Sequence, residues 1–424
     1  MKSRSSLLLA ALLVASWNAA NAADAPAVPP APVARVQPVT DTYFGESVVD
    51  RYRWMENDRD PDWMPFLRGQ NDHTRAILDA LPTRPALLAR IQQLSGDIAA
   101  PGRVQSTGGK LFFSQRPAGA SNFKLFVREN GATRLLIDPT TLDTGSSHVS
   151  LDWWTASPDG TRLVYGLSKN GSEDSTLQVM DVASGAILPE RIPNTQNATP
   201  NWLDDGSGFF YNQLTGAVDT PERFLDSRER LHVLGTDPAK DPILMARGQD
   251  RNVAFEKIQS PTIWTYRHSD RALLLLSDVR SESRVFVAPL KDVVAGHAHW
   301  TPVADFADEV TDVALDGDDL YLLANHGHPR GRIVVTSAKA PDLAHAREVV
   351  PEGERVIQGM AVARDGLYLF EMDGGLGRLA RLDRKGKFAD IPLPFEGTIG
   401  SASMSPDAPG GVFALSGWFT PTGL

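Results

Sequence analysis

Cysteine is absent from all 424 residues. That excludes disulfides, thiolate nucleophiles and zinc–cysteine centres. Positive charge is not in excess either: 42 Lys+Arg stand against 52 Asp+Glu, a formal net charge of −10. Nucleic-acid binding needs a basic patch or stripe, and an anionic membrane surface attracts polybasic segments; the balance of charge favours neither. Beyond Trp17 no run is apolar enough to cross a bilayer as a helix, which takes about 20 residues. Two catalytic signatures are missing as well. There is no G-x-S-x-G, the strained turn that presents a hydrolase serine, and no H-E-x-x-H.

What is there begins at the N-terminus. Lys2 and Arg4 precede the apolar stretch Leu7–Ala15, and Ala20-Asn21-Ala22 follows as an A-x-A cleavage site. This order reads as a secretory signal peptide over residues 1–22, with the mature chain starting near Ala23 and a periplasmic or secreted location. An exported chain without disulfides relies on its own core, and hydrophobic residues at 42% supply one. Residues 23–38 are an Ala/Pro-rich flexible lead-in.

Residues 39–101 read as a helical segment. Asp60 is an N-cap candidate before Pro61, and Trp63, Phe66, Leu67, Ile77, Leu78 and Leu81 recur at helical spacing. Pro82 ends that helix. Thr83 and Pro85 open a second, with Leu87, Leu88, Ile91 and Leu94 as its apolar stripe. So short a segment cannot bury both faces alone.

From residue 102 the pattern turns to short strands separated by Gly, Asp, Asn and Pro turns. Ser157-Pro158-Asp159-Gly160 before the strand Arg162–Leu167 is echoed at Asp204-Asp205-Gly206, Asp316-Gly317, Asp365-Gly366 and Pro406-Asp407. The echoes lie 46, 112, 49 and 41 residues apart. Three gaps match one propeller blade and the long one about two. The fold class expected is mainly β: a seven-bladed β-propeller over residues 102–424, incomplete in its last blade, behind the short helical segment. A β-sandwich with ordinary hairpins is the alternative.

Several residues imitate chemistry. Ser207 in Gly206-Ser207-Gly208 sits in a turn with no helix after it. His297 with His299, and His326 with His328, have the i,i+2 spacing that places two imidazoles on one strand face, yet both pairs lie in loops. Gly375-Leu376-Gly377-Arg378-Leu379-Ala380 matches G-x-G-x-x-A, but a strand and turn follow where a dinucleotide site needs a helix. Turn chemistry accounts for Ser207, surface-loop positions for the histidines and a blade hairpin for the glycine match. No catalytic, cofactor-binding or metal-binding residue is assigned, and no cofactor is expected.

Asp50-Arg51-Tyr52-Arg53-Trp54-Met55-Glu56 resembles the D-x-Y-R-W-L-E opening of the prolyl oligopeptidase family of serine peptidases. Gln70-Asn71-Asp72-His73-Thr74-Arg75-Ala76-Ile77-Leu78 is similar to that family's Q-N-x-x-T-R-x-x-L helix, and Ser416–Gly423 resembles a passage of its final blade. The resemblance implies a propeller that admits only short peptides, typically cut after proline, to an α/β-hydrolase domain carrying a Ser-Asp-His triad. It also implies that the helical segment docks on that domain, and that the triad lies beyond Leu424. The chain alone is then expected to be inactive. Its expected partners are that hydrolase domain and, in the complete enzyme, short peptide substrates; nucleic acid, and membrane after signal cleavage, are not. The competing reading is a stand-alone propeller that binds a peptide, sugar or protein.

Overall fold

The computed structural model describes residues 28–424 except 97, 197 and 219. The signal-peptide reading of residues 1–22 falls outside the described residues. Two compact units are resolved, Met1–Asp97 and Ile98–Leu424. Among the described residues no helix is long and apolar enough to cross a membrane.

In the first unit the chain opens with a hairpin, Val39–Tyr43 against Glu46–Asp50, which the helical reading of residues 39–101 did not anticipate. Phe44 and Gly45 turn it with φ of 52° and 88°, as a two-residue turn of that hand requires. A 3-10 turn follows at Arg53–Glu56, then helix α1 (Trp63–Asp79) and helix α2 (Arg84–Gly96). α1 starts two residues later than the Asp60 cap would put it. Asp60 accepts the Asp62 N–H at 3.0 Å and the Arg35 guanidinium at 2.8 Å, so its carboxylate is held in a turn ahead of the helix.

The Asp50–Glu56 motif ties this unit together. Arg53 pairs with Asp41 and Asp50. Trp54 is buried, donates its indole N–H to the Arg35 carbonyl at 2.7 Å and meets Phe66 edge-on at 5.9 Å. Gln70 of the second motif donates to the Pro32 carbonyl at 3.1 Å. α1 and α2 leave Leu67, Ile77, Leu78, Leu87, Ile91 and Leu94 exposed.

The second unit is a β-propeller. Six four-stranded antiparallel meanders follow one another, each running from an inner to an outer strand. Blades 1–6 have inner strands Ala100–Thr107, Val149–Ala156, Asn201–Trp202, Ser260–Thr265, Val310–Asp316 and Val356–Ala363. A last sheet has two strands, Thr398–Met404 and Gly411–Ser416. Burial follows the alternation. Leu273, Val285 and Val287 of blade 4 pack on Leu315, Leu320 and Leu322 of blade 5, and layers of the same kind join the other consecutive sheets from blade 1 to the last. Burying a Leu or Val side chain stabilises by about 1.5–3 kcal/mol, so these layers hold the ring.

The expectation of seven blades is therefore corrected: six sheets are four-stranded and the last is two-stranded. The turn motif marks the first hairpin of blades 2, 3, 5 and 6 and of the last sheet, which has that hairpin alone. A blade also needs two further strands, and residues 417–424 add only the bridge between Leu415 and Gly423. The long gap in the motif count is explained too. In blade 4 the first turn carries His268 at φ 66° where other sheets place a glycine, so the Asp-Gly signal is missing there.

Candidate functional site: the axial cavity

The inner strands leave one edge unpaired toward the axis, and side chains of each sheet reach across to the next. Gln105 of blade 1 accepts the Ala156 N–H of blade 2 at 2.9 Å. Trp202 of blade 3 donates to the Thr155 carbonyl at 3.3 Å. Asn201 of blade 3 accepts the Thr265 N–H of blade 4 at 2.7 Å. Tyr266 after blade 4 donates to the Val313 carbonyl at 3.2 Å, and Asp312 of blade 5 accepts the Met360 N–H at 2.8 Å. The two-stranded sheet closes the ring on blade 1: Ser401 and Ser403 accept the N–H groups of Val104 and Ser106 at 3.0 and 2.9 Å. Edge amides that would otherwise stand unmatched are thus satisfied.

These strands enclose a cavity of about 470 Å³, lined from all seven sheets by residues including Ser106, Thr155, Trp264, Ala314, Met360 and Ser403. That volume suits a small ligand. Trp264 presents part of its ring to the lumen, 38% exposed. Burial pushes the Asp312 carboxyl above its ordinary range, against the opposing effect of its two backbone N–H donors, Met360 and Val313. Burial, then the nearby Asp312, pushes the Tyr266 phenol up as well. Both side chains therefore brace the wall as hydrogen-bonding groups.

The lookalike residues do not converge on this cavity. Ser207 is held by Asp205, whose Oδ1 accepts from its backbone N–H at 2.9 Å and its hydroxyl at 2.7 Å, and a strand follows it. His297 lies 3.9 Å from Asp292, and His299 is exposed beside it. His326 and His328 face different acids, Glu309 at 3.6 Å and Glu352 at 3.2 Å. Gly374 and Gly375 turn the hairpin between strands Gly366–Asp373 and Leu376–Asp383. Among the described residues no group of three or more His, Cys, Asp or Glu side chains is placed to hold a metal ion.

A buried cluster that sequence reading missed lies between blades 2 and 3. His232 Nδ1 is 3.0 Å from both Asp241 oxygens, and the Tyr211 hydroxyl donates to Asp241 at 2.9 Å. Glu190 accepts the Gly235 N–H at 2.8 Å and lies 3.9 Å from His232 Nε2. The arrangement contains the acid and imidazole of a triad but no nucleophile: among the described residues no serine or threonine hydroxyl is hydrogen-bonded to a histidine ring. His232 is completely buried, so the cluster joins two blades and is closed to substrate. The inter-blade clamps had a partial signal in the sequence, since Asn201 and Asp312 each stand five residues before a turn glycine, Gly206 and Gly317.

Antiparallel meanders arrayed about a lined axis define the chain as a β-propeller protein with an axial cavity. Residues 31–424 match the family described as prolyl oligopeptidase, N-terminal β-propeller domain, and the chain belongs to that family. It is 25% identical over 376 residues to a prolyl endopeptidase of Elizabethkingia meningoseptica, covering 84% of this chain and 50% of that protein. A solved structure from a mechanistic study of two prolyl endopeptidases superposes with a TM-score of 0.81 at 25% identity, over 92% of this chain and 57% of the other. Prolyl oligopeptidase B from Galerina marginata, bound to a 35-residue substrate, shares the fold with a TM-score of 0.79 at 19% identity, over 93% of this chain and 58% of the other. The chain spans about half the length of the curated relatives it matches.

Proposed function

We propose that this chain is the N-terminal and propeller portion of an exported prolyl oligopeptidase-like serine peptidase that hydrolyses short proline-containing peptides. The observation that carries the reading is the axial cavity, narrow and walled by inner strands of all seven sheets, in a chain of the prolyl oligopeptidase propeller family. Hydrolysis of a peptide bond needs a nucleophile, a base and an oxyanion hole within hydrogen-bond reach. An α/β-hydrolase domain supplies them in this reading. The propeller contributes exclusion: a lumen of this size admits an extended peptide and rejects a folded protein.

The two-stranded sheet is, in the same reading, the inner half of a seventh blade. Its strand Gly411–Ser416 has an outer edge on which further strands pair. The exposed apolar faces of α1 and α2 are the docking surface for the hydrolase domain, consistent with contiguous exposed apolar groups marking interaction sites. Residues 1–22 direct export to the periplasm or outside the cell.

The test is turnover of a proline-containing chromogenic peptide by the purified chain. No turnover is expected. Hydrolysis that a serine-directed inhibitor abolishes would overturn the reading. Export is tested separately by expressing the chain with its N-terminus in a Gram-negative host; the exported form is expected to begin at Ala23.

A further inference from the structure

The outer rim between blades 3 and 4 holds a second cavity. Its volume of about 350 Å³ suits a small ligand, and it shares no lining residue with the axial cavity. Two chain segments build its walls. One is the last strand of blade 3, Ile243–Met245, with the loop that runs on to Asn252. The other is a short helix of blade 4, α3 (Leu290–Val294), with the chain that follows it to Trp300.

Leu244, Met245, Val293 and Trp300 form the floor. All four are buried and belong to the apolar layer between the two blades. Both walls leave the mouth open. Gly296 takes a φ of 75° where the chain leaves α3, and a Cβ there would meet nothing within 4 Å. On the other wall, Gln249 donates to the Ile243 carbonyl at 3.1 Å, and Asp250 accepts the Asn252 N–H at 2.8 Å. These bonds tie the loop to its own strand and hold it off the floor.

Two donors at this cavity are left over. Trp54, Trp63, Trp153 and Trp202 each give the indole N–H to a backbone carbonyl. Trp300 is only 3% exposed, yet among the described residues nothing accepts its indole N–H. Nor is that nitrogen sealed from solvent, so the little surface the ring keeps opens on the cavity it lines. A buried indole N–H ordinarily finds a partner. The second donor is Arg251, exposed at the mouth. Nearby arginines are committed, Arg247 to Asp226 and Arg284 to Asp305. Arg251 makes no ion pair and no side-chain hydrogen bond among the described residues.

Three features call for three groups on one ligand. The apolar floor takes an aliphatic side chain. The guanidinium takes a carboxylate, which it can bind with two parallel hydrogen bonds. The indole N–H takes a neutral carbonyl. A peptide's last residue carries all three: its side chain, its free carboxylate and the amide carbonyl that precedes it. A fatty acid lacks the amide carbonyl, and a cation is repelled by Arg251.

We propose that this rim cavity is a binding site for a free peptide C-terminus with an apolar last residue, held by Arg251 and Trp300. The site stands on the rim geometry and does not depend on the peptidase reading.

The test is titration of the purified chain with N-acetyl-leucine, followed by saturation-transfer-difference NMR. Saturable binding is expected, with a Kd on the order of 1 mM for a ligand of this size. N-acetyl-leucinamide, which lacks the charge, is expected to bind about fivefold more weakly, and Arg251→Gln to weaken the acid by the same factor. The two losses are expected not to add, because they remove one interaction. Ala298→Phe, which fills the cavity from its wall, is expected to abolish binding. Equal affinity for acid and amide, or an unchanged affinity in R251Q, would overturn the proposal. So would octanoate binding more tightly than N-acetyl-leucine, which assigns the cavity to acyl chains. Should A298F lose its native near-ultraviolet circular dichroism, the acid–amide comparison in the parent and R251Q decides alone.

Discussion

The Ser403 hydroxyl accepts the backbone N–H of Ser106 at 2.9 Å, joining residues 297 positions apart. Ser401 does the same for Val104 at 3.0 Å. The two-stranded sheet thus meets blade 1 through side-chain acceptors on alternate residues of one strand, and this closes the ring. Alternation in a strand puts residues 401 and 403 on one face, so one strand supplies both acceptors.

Replacing both serines with alanine leaves two inner-strand amides without partners. Each unmade hydrogen bond to a buried amide costs about 1–3 kcal/mol. The double variant is expected to unfold at lower urea than the parent, with faster amide exchange at Val104 and Ser106 than at Ala156. Unchanged exchange at those two amides would show that the closure is made by packing instead.

Glu229 gives a dependence on pH. It is 1% exposed, accepts the Ile263 N–H at 3.0 Å with one oxygen, and has no partner for the other. Burial holds its carboxyl well above the ordinary value of 4.5, against the Ile263 hydrogen bond that lowers it. The folded state therefore binds the proton more tightly than the unfolded chain. Its contribution to stability is complete below the unfolded value and is lost as pH rises toward the folded one. Glu229→Gln keeps the acceptor and removes the charge. It is expected to raise the melting temperature at pH 7 and leave it nearly unchanged at pH 4. The opposite ordering would mean that Glu229 is ionised and paired in the folded state.

Gly108 and Gly410 separate two costs of the same substitution. Both have positive φ, 57° and 73°. A Cβ on Gly108 would meet the Asp159 carbonyl oxygen at 2.1 Å, while one on Gly410 meets nothing within 4 Å. Gly410→Ala is expected to cost about 1 kcal/mol, the conformational penalty alone. Gly108→Ala adds a backbone clash between blades 1 and 2 and is expected to exceed it by about 2 kcal/mol or more. Denaturant titration of the two variants checks the difference.

Much of this architecture was legible in residue order. Asp159-Gly160 and its echoes marked first hairpins because a tight turn needs a residue that tolerates positive φ. The same rule failed at Tyr266–Asp270, where His268 takes that conformation without a glycine. It also overcounted blades, since a first hairpin says nothing of the two outer strands that complete a sheet. The Asp50–Glu56 motif stood out as a resemblance, and the fold supplies its reason: Arg53 and Trp54 bind the hairpin, the Arg35 carbonyl and α1 together. The front hairpin was missed because Val39–Asp50 is short and mostly exposed, so hydrophobic alternation is weak there.

The sequence by itself determined the strand-and-turn grammar, the amphipathic pair α1 and α2, the lack of thiol chemistry and the family resemblance. These follow from local periodicity, glycine conformation and composition, which act over a few residues. Tertiary structure alone decided what surrounds the axis. The Gln105, Asn201, Asp312 and Ser403 clamps, the buried His232–Asp241 pair and the contact of Asp407 with His268 join residues from 9 to 297 positions apart. Each depends on which strand the ring sets beside which, and spacing along the chain carries no trace of that.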